Sequence, residues 1–171
     1  MKTIYTLVLL LAIVACKKEQ PSEASTEEVK SPTLEQEKTA ILATINSETV
    51  AAFSRDYESW QNKWIQEPFV TKTYMQFPDS SITETLGWIE ISDFVKTYFE
   101  EHPEPDPLPK PIKEIEVRVY GTGAWVTYEQ VDSVRGLKRE TRLMEKVDGL
   151  WKIAGMHTTI YGKQAEHHST E

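Results

Sequence analysis

Glu140, Arg142 and His157 place an acid, a guanidinium and an imidazole within one stretch, Lys138 to Tyr161 (KRETRLMEKVDGLWKIAGMHTTIY). Carboxyl and imidazole groups move protons near neutral pH, and a guanidinium takes a carboxylate through two parallel hydrogen bonds. On one surface, Arg142 would anchor a ligand carboxylate and Glu140 would hold His157 in one tautomer. His157 or Glu140 would then be the candidate base. The same three groups also fit a plain ion network, because a buried charge is tolerated only when paired.

A hairpin must position them. Asp148-Gly149 separates two alternating apolar runs, and both turn residues tolerate φ > 0. That turn sets Val147 opposite Leu150, Lys146 opposite Trp151 and Met144 opposite Ile153. Continued without interruption, it sets Arg142 opposite Gly155 and Glu140 opposite His157. Side chains alternate across a strand, so Glu140, Arg142, Met144, Trp151, Ile153, His157 and Thr159 share a face. A two-residue turn at Arg135-Gly136 would add Glu129, opposite Arg142, and Trp125, opposite Lys146. Tyr57, Trp60 and Trp64 lie three and four apart on a helix face. Such a stripe packs a core, and Tyr57 or Trp60 can also touch a ligand. A slip of one residue would send the whole set to the other side of the sheet.

The chain starts with an address. Lys2 precedes an apolar run, Ile4 to Val14, of signal-peptide length and too short to span a bilayer as a helix. Removing residues 1–15 leaves 156, enough for one domain and a tether. The formal charge of −8 becomes −9 without Lys2, which argues against nucleic acid as a partner. Cys16 is the one cysteine, so disulfides are excluded. No zinc-type histidine cluster, phosphate loop or nucleophile elbow is present, and neither a metal nor a cofactor is expected. Residues 16–33 are polar and lack an apolar period, as a flexible tether would. The domain is expected over 34–162, with a disordered tail at 163–171 that carries His167-His168.

Within the domain, Thr33-Leu-Glu-Gln36 has capping-box spacing before a helix carrying Ile41, Ile45, Ala52 and Phe53. Asp56 caps a second short helix. Phe69 to Phe77 reads as a strand, Pro78 to Ser81 as a loop, and Trp88 to Phe99 as a third helix. Proline at every second position from Pro103 to Pro111 forces an extended connector. Four strands follow: Ile112 to Tyr120, Ala124 to Ser133, Lys138 to Val147 and Leu150 to Tyr161. Short separators make them an antiparallel meander. The class is α+β, with N-terminal helices packed on a curved antiparallel sheet.

Two resemblances extend this. Ile13-Val14-Ala15-Cys16 resembles the bacterial lipobox, which implies cleavage before Cys16 and a diacylglycerol thioether on it. The implied place is the cell envelope, with the domain outside the cytoplasm and the membrane reached through lipid. Asp56 to Trp60, Gly87 to Ile91, Ala124 to Tyr128, and Asp148 to Ile153 with His157, taken in order, resemble the nuclear transport factor 2-like (SnoaL-like) superfamily. That implies a cone-shaped, cystatin-like fold. Glu140-Thr141-Arg142 with Asp148 to Trp151 and His157 is similar to the association domain of calcium/calmodulin-dependent protein kinase II. There the matching arginine faces a central cavity, which points to Arg142.

Fold alone does not choose among the functions such domains serve. Three expectations stand. The first is a non-catalytic domain binding a small, carboxylate-bearing ligand through Arg142, Glu129, Glu140, His157, Trp125, Tyr57 and Trp60. The second is an isomerase or lyase with His157, or Glu140, as base. The third is a homodimerising module without a ligand, its contacts on the other sheet face at residues such as Val126 and Leu143.

Overall fold

A computed structural model describes residues 31–132 and 135–163. The leader, Cys16, most of the tether and the His167-His168 pair lie outside the described residues. Helix α1 runs Leu34–Phe53, and its capping box closes as expected. The Thr33 hydroxyl accepts from the Gln36 amide at 3.3 Å, and the Gln36 side chain accepts from the Thr33 amide at 2.8 Å. Ile41, Ile45, Glu48 and Ala51 form its buried stripe. The helix breaks at Ser54-Arg55, where Arg55 takes φ +61°, and Asp56 caps α2, Tyr57–Gln61.

Strand β1, Thr71–Gln76, pairs antiparallel with β2, Ser81–Leu86. The loop expected after Phe77 therefore holds only a tight turn before a second strand. Helix α3 runs Trp88–Glu101. It starts at Gly87, which has φ +81° and lies so close to Pro68 that a Cβ would sit 3.3 Å from its carbonyl oxygen. The proline-rich connector has no regular structure, and Asn46 on α1 grips its far end. The Asn46 amide donates to the Ile112 carbonyl and accepts from the Ile112 N–H, both at 2.9 Å.

Strands β3, Glu116–Tyr120, β4, Gly123–Asp132, β5, Gly136–Val147, and β6, Leu150–Gly162, form the meander. The sheet order is β2-β1-β6-β5-β4-β3. All neighbours are antiparallel except β1 and β6, which run parallel, so the sheet is mixed rather than purely antiparallel. Helices pack on the concave side of this curved, open sheet. Ile41 and Ile45 of α1, Trp60 of α2, Ile91 of α3, and Val126 and Ile153 of the sheet are at most 1% exposed there.

The Asp148-Gly149 turn has positive φ at both residues, 51° and 79°, and the three pairs nearest it form as the turn dictates. The hairpin tip is tied to α1 by Glu37. Its carboxylate accepts from the Lys146 ammonium at 2.7 Å and the Trp151 indole at 2.7 Å. These donors, Lys146 first, hold the Glu37 carboxyl below its usual pKa. Among the described residues no helix is long and apolar enough to cross a membrane.

Candidate functional site

Among the described residues, five charged side chains turn into the core. Alternation along β5 puts Lys138, Glu140 and Arg142 on the concave face, β1 adds Lys72, and the buried stripe of α1 adds Glu48. None is more than 9% exposed. Burial on this scale requires partners.

Both carboxylates are well supplied. Glu140 accepts from the Thr158 hydroxyl at 2.8 Å, and the Lys138 ammonium and Arg142 Nη2 each lie 3.3 Å from it. Glu48 accepts from the Trp60 indole at 2.9 Å and the Trp64 indole at 3.4 Å, with Arg142 Nη2 at 3.7 Å. Nη2 therefore sits between two acids. The cations are less well served. Arg142 Nε and Nη1 are buried and make no hydrogen bond of normal geometry among the described residues, with the Tyr128 hydroxyl beside the guanidinium. The Lys72 ammonium has no carboxylate in ion-pair range among the described residues. It lies instead 5.3 Å from the Phe94 ring centre, 5.5 Å from Trp60 and 5.6 Å from Tyr74, in cation–π range of all three. Three cations against two carboxylates leave these five groups with a surplus of one positive charge.

The ionisation behaviour fits this count. Burial acts to strip the proton from Arg142, but Tyr128, Glu140 and Glu48 outweigh it and hold the guanidinium more firmly charged than usual. Burial pulls Lys72 down to about 8, opposed by Glu48 and assisted by Arg142. Burial, with Glu140 assisting, raises the Tyr74 phenol to about 12. Tyr128 is raised too, by burial first.

A pH dependence follows from Lys72. In the unfolded chain its amine keeps its proton up to about 10.5, whereas in the folded protein it releases it near 8. Between those values the unfolded chain binds more protons, so raising pH favours the folded state. Urea denaturation should show wild type gaining about 2 kcal/mol on Lys72→Met between pH 8 and 10. Above pH 10 the two phenols act in the opposite sense, since they ionise more readily unfolded. A wild-type minus variant difference that stays constant from pH 7 to 10 would show that Lys72 is not desolvated.

Of the residues expected from sequence, the fold brings together Glu140, Arg142 and Trp60. Tyr57 is half-buried beside them, its ring 5.7 Å from Trp60, with its hydroxyl 2.6 Å from that of Ser92. Trp125, Glu129 and His157 lie on the convex face, all exposed, Trp125 by 55%. Two register changes put them there. Ala154 and Gly155 together lie opposite Leu143, a β-bulge, so Met156 pairs with Arg142 and Thr158 with Glu140. His157 pairs with Thr141 and faces away, so Glu140 does not orient it. Thr159 turns outward for the same reason. Gly155 opens its space against Leu143 and Thr71, not Arg142: a Cβ there would come within 3.2 Å of each. Asp132 pairs with Gly136, not the partner that a two-residue turn at 135–136 would give it. That odd shift puts Val126 opposite Arg142 and Tyr128 opposite Glu140, both buried. Val126 is thus core, while Leu143 stays on the convex face, 47% exposed.

Glu48, Lys72, Lys138 and Thr158 are added by the structure. Glu48 had a signal: it stands three residues after Ile45 and three before Ala51, a lone acid on an apolar stripe. Two open surface depressions, one on α1 around Thr39 and Ala40 and one beside Tyr57 and Lys96, are lined by none of the five charges.

Helices seated on the concave side of an open, curved sheet, with polar groups converging inside, define the cone-shaped nuclear transport factor 2-like or cystatin-like fold. Solved structures agree. A nuclear transport factor 2-like superfamily protein from Salmonella enterica serovar Typhimurium superposes with a TM-score of 0.56 at 18% identity, over 77% of this chain and 95% of that one. A nuclear transport factor 2-like protein of unknown function from Silicibacter pomeroyi gives 0.55 at 14% identity, over 75% and 99%. A cystatin-like fold protein from Burkholderia xenovorans gives 0.54 at 18% identity, over 72% and 91%. No family model and no curated protein matches the chain.

Proposed function

We propose that this chain is a lipid-anchored envelope protein, held through Cys16, whose domain binds a small carboxylate-bearing organic molecule inside its cone without catalysing its turnover. The observation that carries this is Arg142: a buried guanidinium with two N–H groups that make no hydrogen bond of normal geometry among the described residues, in a cluster of five charged groups with one surplus positive charge. A monoanion supplies the missing charge and the missing acceptors together, and a carboxylate fits the guanidinium fork. The isomerase or lyase alternative loses its base, because His157 faces away from the interior. Glu140 is already engaged by Thr158, Lys138 and Arg142.

The test is a thermal-shift series with small mono- and dicarboxylates on wild type and on Arg142→Lys, which keeps the charge and loses the fork. A carboxylate at 100 times its Kd should stabilise wild type by about 2.7 kcal/mol, a shift of several degrees. The lysine variant should not respond. A panel in which no carboxylate shifts wild type sinks the binding reading. Fatty-acid labelling that persists in Cys16→Ala sinks the anchor.

A further inference from the structure

Lys72 is a buried amine whose surroundings suit a reaction better than a structural ion pair. Three aromatic rings surround its Nζ, at 5.3, 5.5 and 5.6 Å. Because no carboxylate among the described residues pairs with it, losing its proton breaks no salt bridge. Phe94, one wall of this box, is 40% exposed, so only this ring separates part of the box from solvent-facing surface.

Its position relative to Arg142 is specific. Lys72 on β1 and Arg142 on β5 both pair with Met156 on β6, all three on the concave face. The two cations thus flank one residue, about 10 Å apart at their Cα atoms. Their long side chains can close much of that distance, and the residue between them is an unbranched thioether that repacks easily.

We propose that Lys72 captures a small 2-oxo acid as an imine, with the acid's carboxylate seated on Arg142; this rests on Arg142 being a carboxylate anchor. A 2-oxo acid carries its carboxylate and its carbonyl on adjacent carbons, which is what two cations on one row can address together. The neutral amine attacks the carbonyl carbon and a C–N bond forms. The oxygen takes up a proton, the carbinolamine expels water, and the C=N bond closes. One water is released, no oxidant or reductant is consumed, and hydrolysis reverses the step. Desolvated lysines beside another cation are suited to this role.

The environment also favours Lys72 over surface lysines. With its pKa at about 8, roughly one amine in ten is unprotonated at pH 7, against roughly one in three thousand for an ordinary lysine.

The experiment is reductive trapping of the purified full-length protein with pyruvate and cyanoborohydride, followed by peptide mass mapping. Propanal, a neutral carbonyl, is run in parallel, and Lys72→Arg and Arg142→Lys are treated alongside after a check that each still folds. The expected result is modification of Lys72 at least about tenfold faster than of any other lysine, lost in Lys72→Arg and slowed in Arg142→Lys for pyruvate only. Labelling spread over exposed lysines, with Lys72 unmodified, overturns the imine; if pyruvate still raises the melting temperature, Arg142 remains a carboxylate anchor. Equal labelling of Lys72 by propanal and pyruvate, indifferent to Arg142→Lys, upholds the nucleophile and overturns the anchor.

Discussion

Arg142→Ala should cost about 3–5 kcal/mol of folding stability, the range for removing one partner of a buried ion pair. The loss falls mainly on Glu48. Glu140 keeps Lys138 and Thr158, but Glu48 keeps only two indole N–H donors and loses its one ion-pair cation among the described residues. Typical domains have about 5–15 kcal/mol in total, so the variant would be marginal. Much of the effect is the stranded acid rather than the pair itself, so Glu48→Gln combined with Arg142→Met should recover a large part of it. Urea denaturation of the two singles and the double gives that coupling directly. A cost below about 1 kcal/mol for Arg142→Ala would mean that the cluster is solvated. Both its structural and its ligand-binding interpretation would then fall.

What could be read in the sequence was local. Asp148-Gly149 fixed its turn because few residue pairs accept two positive φ values, and the three nearest strand pairs followed from it. Thr33 and Gln36 announced the start of α1, and proline spacing announced the connector. What was hidden depended on distant partners. Strand β2 is an edge strand, and Ser-Ile-Thr-Glu-Thr-Leu shows little apolar character because most of it faces water. Its pairing with β1, and the parallel pairing of β1 with β6, are choices of the tertiary fold. The bulge at Ala154-Gly155 leaves only a small-residue pair as its mark, and everything beyond it changes face. Counting outward from the turn was therefore right as far as Ile153 and wrong from Gly155 on. Glu140 and Arg142 escaped that error because the extra residue lies on β6, not on their own strand.

The face assignment and the charge surplus are tested together at Met156. It is 5% exposed, on the row between Lys72 and Arg142. Met156→Lys would place another cation where three already exceed two carboxylates. It should lose about 4 kcal/mol or more, the scale of an uncompensated buried charge. Met156→Glu brings a charge of the same magnitude and opposite sign, on the row between the Lys72 ammonium and the Arg142 N–H groups that make no hydrogen bond of normal geometry among the described residues. It should be less damaging than the lysine variant by at least about 2 kcal/mol, and it should abolish the thermal response to carboxylates because the protein would supply its own. His157→Lys, one residue along on the convex face, should change stability by no more than about 0.5 kcal/mol. Chemical denaturation of the three variants separates the possibilities. Equal losses for Met156→Lys and Met156→Glu would mean that burial alone matters and the interior has no preference for an anion. A large loss at His157 with a small one at Met156 would restore the uninterrupted register and put the imidazole back inside.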